Sequence, residues 1–236
     1  MAEIRAAVPG ANVEFIALDL GDLASVRSCA KAILDRNQPI HGLVNNAGLA
    51  GQRGQTKDGF ELQFGTNHLG HYLFTRLLLD RIKEAGTARI VNVASASHYQ
   101  AKKIDWDVLQ QKTKTITAMR EYAVSKLSNV LFTKELARRL EGTKVTTYAV
   151  HPGVVATEIW KKVPGPARWL IKKFMITPEE GAQSSIVCAT DPALALHTGR
   201  YYDVGGKEKR PSKLADDVAL AGELWTKSAA WTGLPA

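Results

Sequence analysis

The chain has 236 residues and a formal charge of +8, with 45% hydrophobic and 23% charged residues. That is enough for one α/β domain of ordinary size with a sizeable core. It excludes a repeat, low-complexity or disulfide-scaffold protein, because only Cys29 and Cys188 occur, far apart in helical patterns, and no basic run is long enough for a nucleic-acid arm. No apolar run reaches the ~18 residues of a membrane span. The opening Met1 to Gly10 has no apolar signal core, so a cytoplasmic location is the expectation. The positive charge suits anionic ligands such as a nucleotide phosphate, or an anionic membrane surface.

In chain order, Ala2 to Ala7 reads as the end of a helix, and the apolar run Val13 to Leu18, ending at Asp19, predicts a strand. Asp22 can cap a helix to about Arg36, with Leu23, Val26, Ala30, Ile33 and Leu34 on one face. Ile40 to Asn45 reads as a buried strand ending in the turn Asn45-Asn46-Ala47-Gly48. A long helical region follows from about Gly59 to Ala85, then a strand from Arg89 to Ser95. An irregular polar stretch, His98 to about Ile116, precedes a helix over about Ala118 to Glu141. The strand Val145 to Val150 ends at His151-Pro152-Gly153, and Pro178 opens a helix to Ala189. Gly199 to Val204 is predicted as a last strand and Leu214 to Trp231 as a last helix. Alternating helices and apolar strands without period-two patterning imply a parallel sheet covered on both faces. Ligands in such sheets sit beyond the carboxyl ends of the strands, where Asp19, Asn45, Ser95 and His151 to Gly153 fall.

Tyr122 and Lys126 stand four positions apart in a predicted helix and so share a face. A phenol titrates near ~10, and a neighbouring cation favours its ionised form, which suits proton exchange with a substrate. The pair alone also fits a plain half-buried helix face. Ser95 and Ser97 both lie near a strand end, where residues two apart share a face. Gly48, Gly51 and Gly54 have the wrong spacing for a phosphate loop. His68 and His71 lack a third partner for a metal site, and none is expected.

Taken in order, Asn45-Asn46-Ala47-Gly48, Asn67, Ser95, Tyr122-x-x-x-Lys126 and Pro152-Gly153 with Thr157 resemble the short-chain dehydrogenase/reductases. Thr66-Asn67-His68-Leu69-Gly70-His71 and the run Leu131 to Leu140 resemble the retinol-dehydrogenase-like branch. The resemblance covers essentially the whole chain. It implies a doubly wound, Rossmann-like, mostly parallel sheet with helices on both faces, and hydride transfer between NADP or NAD and a hydrophobic alcohol, aldehyde or ketone, with NADP favoured. It makes Tyr122 the general acid/base and Lys126 its partner and the ligand of the nicotinamide ribose. Ser95, favoured over Ser97, would bind the substrate oxygen, and Asn67 would join a proton relay. Asp19 and Leu20 would meet the adenine ring, Asn45, Ala47 and Gly48 would lie along the nucleotide, and Pro152, Val155 and Thr157 would hold the carboxamide.

The resemblance also implies a difference from the family. The strand, Gly-rich turn and helix that bind a pyrophosphate, of roughly 30 residues, have no counterpart here, so the first two strands of the family fold are expected to be absent. Residues 1–236 then form a single, N-terminally truncated domain, and Val13 to Leu18 either closes up beside Ile40 to Asn45 or keeps its distance. A second reading is an inactive form acting as a binding or regulatory module. Residues 159–176, with Lys161, Lys162, Arg168, Lys172 and Lys173 among Trp160, Trp169 and Phe174, read as a substrate lid, with a peripheral membrane contact as the alternative. A homo-oligomer is compatible with this reading, and no nucleic-acid partner is expected.

Overall fold

A computed structural model describes residues 1–154 and 176–236. Among these residues one sheet holds five strands, β1 (Gly42–Asn45), β2 (Ala88–Val93), β3 (Val145–Val150), β4 (Arg200–Asp203) and β5 (Lys207–Glu208), in that spatial order. The first four run parallel and β5 turns back antiparallel on β4. Parallel neighbours need long crossovers, and helices supply them. The helices are α1 (Ala2–Ala7), α2 (Leu23–Leu34), α3 (Leu62–Phe64), α4 (Gly70–Glu84), α5 (Met119–Arg139), α6 (Pro178–Thr190) and α7 (Val218–Thr232).

Both faces of the sheet are buried, as the unbroken apolar runs predict. Ile90 packs with Tyr72, Leu78, Phe132 and Trp225, and Ala149 and Tyr201 with Leu127, Leu131 and Leu224, on the side of α4, α5 and α7. Val91, Val93, Tyr148, Val150 and Tyr202 face the other way, onto Cys188 of α6. Local signals set several boundaries. Asp22 caps α2 by accepting from the amides of Ala24 (3.0 Å) and Ser25 (3.3 Å). Thr177 and Glu180 form a reciprocal capping box at α6, with Pro178 in the first turn.

Two expectations are corrected. Val13 to Leu18 is not a strand. Phe15 is 75% exposed and only Ile16 of this run packs against the core. A strand is held by ladder hydrogen bonds, and the described residues place no strand beside this one. The Val13 carbonyl accepts instead from Arg5 Nη2 at 2.7 Å. The segment does not pair with β1, whose outer edge meets no strand among the described residues, although Ile16 packs on the core cluster that includes Leu43. The second correction concerns the helix over 59–85, which is not uniform. After α3 the chain makes a π-helical turn, Gly65–Leu69, before α4 resumes. Of the proposed lid, residues 159–175 lie outside the described residues.

Candidate active site

The carboxyl ends of β1, β2 and β3 lie at one end of the sheet, and the chemistry-bearing residues gather there. Ser95 follows β2 and caps a 3-10 turn, Ala96–Gln100, its hydroxyl oxygen accepting from the Ser97 amide at 3.1 Å. That leaves the Ser95 proton to donate elsewhere. Ser97 sits inside the turn rather than on an extended strand, so the geometry that kept it in contention does not hold. The Ser95 carbonyl is held by His98, whose Nδ1–H donates to it at 2.7 Å, while His98 Nε2 accepts from the Ser212 amide at 3.1 Å. Burial pushes the His98 pKa down, in keeping with a neutral ring.

Helix α5 presents a stripe of polar side chains toward the sheet. Tyr122, Lys126, Asn129 and Thr133 recur at helical spacing and face the end of β2. Lys126 is 4% exposed, and its Nζ donates to the Val93 carbonyl at 2.9 Å. Asn129 Nδ2 donates to the same oxygen at 3.1 Å. Nζ lies 5.7 Å from the centre of the Tyr122 ring. Burial holds the Lys126 pKa down at about 8. Tyr122 departs from expectation, since burial raises its pKa and the Ser95 hydrogen bond is the one influence that lowers it. The Lys126 ammonium, expected to acidify the phenol, is not among the influences on it.

Asn67 is fully buried in the π-helical turn. Its Nδ2 donates to the Leu49 carbonyl (2.9 Å) and Ser125 Oγ (3.0 Å), and its Oδ1 accepts from the Leu49 amide (2.9 Å). Ser125 Oγ in turn donates to the Tyr122 carbonyl at 2.8 Å. An amide so occupied is a strut between the loop after β1 and α5. The Asn67 carbonyl accepts from His71 Nδ1–H at 3.0 Å, and His68 Nε2 is 3.0 Å from Ser228 Oγ, so both rings are committed to packing partners. Burial lowers their pKa values to about 4 for His71 and about 3 for His68.

Other residues singled out in the sequence are more dispersed. Asn45 turns inward, its Nδ2 donating to Thr75 Oγ1 (2.9 Å) and Asn92 Oδ1 (2.8 Å). Asn92 Nδ2 continues to Thr133 (3.0 Å) and Thr147 (3.2 Å). The sequence reading missed this buried polar network, whose one signal is an Asn inside each of two apolar strands. Ala47 and Gly48 are exposed. A Cβ on Gly48 would stand 3.0 Å from Asn67 Oδ1 and 3.6 Å from Lys126 Nζ, so bare backbone runs past the buried ammonium. Among the described residues the Lys126 ammonium has one hydrogen-bond partner, the Val93 carbonyl. Asp19 is exposed, with its Oδ1 accepting from the Gly21 amide, whereas the Leu20 side chain packs in the core. Pro152 is half-buried beside Gly153, and Val155 and Thr157 lie outside the described residues.

A parallel α/β sheet with Ser, Tyr and Lys assembled at its carboxyl edge defines a dinucleotide-type oxidoreductase scaffold. Comparison with known proteins makes this specific. A family model described as enoyl-(acyl carrier protein) reductase matches residues 1–177. Human retinol dehydrogenase 13 is 41% identical over 246 residues, covering 99% of this chain and 73% of the relative. Human polyprenol dehydrogenase is 41% identical over 238 residues, covering 94% of this chain and 70% of the relative. The NADPH-bound carbonyl reductase of chicken fatty liver shares the fold, with a TM-score of 0.62 and 20% identity over 89% of this chain and 81% of that one. A Brucella melitensis 3-ketoacyl-(acyl-carrier-protein) reductase complexed with NADH gives a TM-score of 0.58 and 26% identity, covering 81% of this chain and 77% of that one. The chain belongs to the short-chain dehydrogenase/reductase family of nicotinamide-dependent oxidoreductases, in its retinol-dehydrogenase-like branch.

Proposed function

We propose that this chain interconverts a lipophilic alcohol and its carbonyl compound, with Tyr122 as the proton-transfer group. The observation that carries the reading is the half-buried Tyr122 phenol, with Lys126 Nζ 5.7 Å from its ring on the same helix face and Ser95 at the adjoining end of β2. In reduction Tyr122 donates its proton to the carbonyl oxygen, and in oxidation it takes the alcohol proton. Ser95 donates a hydrogen bond to the same oxygen and stabilises its developing charge. The family resemblance gives Lys126 the role of steadying the phenolate left behind by donation, while in this structure Ser95 is the group that lowers the Tyr122 pKa. Asn67 positions both groups through Leu49 and Ser125.

The nicotinamide dinucleotide, when bound, supplies or accepts the hydride. Lys126 would hold its ribose hydroxyls, the Asn45 to Gly48 turn would pass along it, and Pro152, Val155 and Thr157 would meet the carboxamide. NADP in preference to NAD rests on the family resemblance. Retinol and polyprenol, named in the relatives, are both long apolar alcohols and set the substrate class. Residues 1–236 are read as one domain with residues 159–176 as its lid.

The test is to titrate purified chain with NADPH and NADH by fluorescence, then supply lipophilic aldehydes such as retinal. Binding of at least one cofactor and its consumption with aldehyde is expected. Folded protein that binds neither would contradict the enzymatic reading and favour the non-catalytic module.

A further inference from the structure

Gln63 takes no part in the site described so far, yet it is completely buried and both ends of its amide are engaged. Its Oε1 accepts from the Gly51 amide at 3.0 Å, on the loop that continues from Gly48. Its Nε2 donates to the carbonyl of Ala118. That oxygen also accepts from the Tyr122 amide, at 3.0 Å, as the first hydrogen bond of α5. Ala118 is itself buried and adopts a left-handed conformation, φ 55° and ψ 11°, which a residue with a Cβ rarely takes without support. Gln63 stands one helical turn before Asn67, just ahead of the π-helical turn.

We infer that Gln63 is a positioning residue for the reaction, fixing the start of the Tyr122 helix against the loop beyond Gly48. The side chain ties the backbone that precedes Tyr122 to the loop facing Lys126 and Asn67. Glu61 strengthens the same junction. Its Oε2 accepts from the Gln63 and Phe64 amides (2.9 and 2.8 Å), and its Oε1 accepts from Thr113 Oγ1 at 2.5 Å. Thr113 Oγ1 in turn accepts from the Gly54 amide at 3.0 Å. Two side chains from one helix start therefore clamp residues 51–54 to residues 113–118. Proton transfer depends steeply on the distance and angle of the phenol, so a junction at Ala118 acts on turnover without touching substrate. This inference rests on the role proposed for Tyr122.

Gln63→Met keeps the shape and removes both bonds, whereas Gln63→Glu keeps the acceptor for Gly51 and loses the donor to Ala118. Hydrogen exchange of the amides at 119–124 reads the junction without reference to activity, and kinetics read its consequence. Exchange there is expected to quicken at least tenfold in both variants. A tenfold or greater drop in kcat should accompany it, with KM for aldehyde within about twofold. Adding Ala118→Gly, which removes the cost of the left-handed conformation, should recover part of kcat in Gln63→Met. Should Gln63→Met fail to fold, Gln63→Glu carries both readouts. Unchanged exchange, or faster exchange with unchanged kcat, would overturn the inference. A fully active Tyr122→Phe enzyme in the same assay would instead overturn the role proposed for Tyr122, and the exchange result would still stand.

Discussion

Val145 to Val150 and Val13 to Leu18 are similar strings of β-branched, aromatic and small apolar residues, and they end in opposite states. The first is a central strand, paired on both sides, with Tyr148 and Val150 completely buried. The second is an irregular exposed segment. Strand propensity describes how a sequence fits a pleated, half-buried surface, so it is realised only where a neighbour supplies the ladder. The inner strands have that neighbour and support the Ser95, Tyr122 and Lys126 site. The outer segment contributes only Ile16 to the core.

The contrast can be broken or sharpened by experiment. The largest effect is expected from pH. His68 and His71 have folded pKa values of about 3 and 4, below the ordinary 6.5, so the unfolded chain takes up protons that the folded chain refuses. Stability from these groups is fully present above pH 6.5 and is lost as pH falls toward 4, at up to about 1.4 kcal/mol per pH unit for each ring. Denaturant unfolding at pH 7, 6, 5 and 4 measures the slope, and His71→Asn should flatten it. A stability independent of pH over that range would contradict the burial of both rings.

Next in size is Asn92→Leu, which strips the inner strands of their polar network. It should cost about 2 kcal/mol, because Asn45, Thr133 and Thr147 lose a buried partner. For a chain of this length that is a drop of about 4–8 °C in Tm. A melting point unmoved by more than a degree would show that the network contributes nothing. The smallest effect is expected in the outer segment. Phe15→Ser should alter stability by less than about 0.5 kcal/mol, since the ring is 75% exposed. A loss as large as that of Asn92→Leu would mean that Phe15 is packed.

Much of this architecture is legible in the sequence where the signal is local. β3 falls on the predicted residues, Asp22 caps α2 as expected, and Pro178 opens α6. The π-helical turn was illegible because it begins at a tertiary contact that no local pattern marks. A Cβ on Gly65 would come within 2.3 Å of Thr56 Cγ2, so the helix meets the preceding loop at a distance that only glycine allows. β5 escaped notice because Lys207 and Glu208 are exposed and polar, and pair only through the turn after β4. At the site Ser95 is singled out over Ser97 only by the family resemblance, whereas the shared helix face of Tyr122 and Lys126 could be read from spacing. The direction of the Tyr122 pKa could not, because it depends on how deeply the folded chain buries the phenol.

The account turns on Tyr122 as the proton-transfer group. The most direct test compares turnover of wild type and Tyr122→Phe with a lipophilic aldehyde and NADPH, with cofactor affinity measured in parallel. Loss of the phenol hydroxyl should lower kcat by about 10²-fold or more, with cofactor affinity and Tm close to wild type. A Tyr122→Phe enzyme that keeps full turnover would contradict the account.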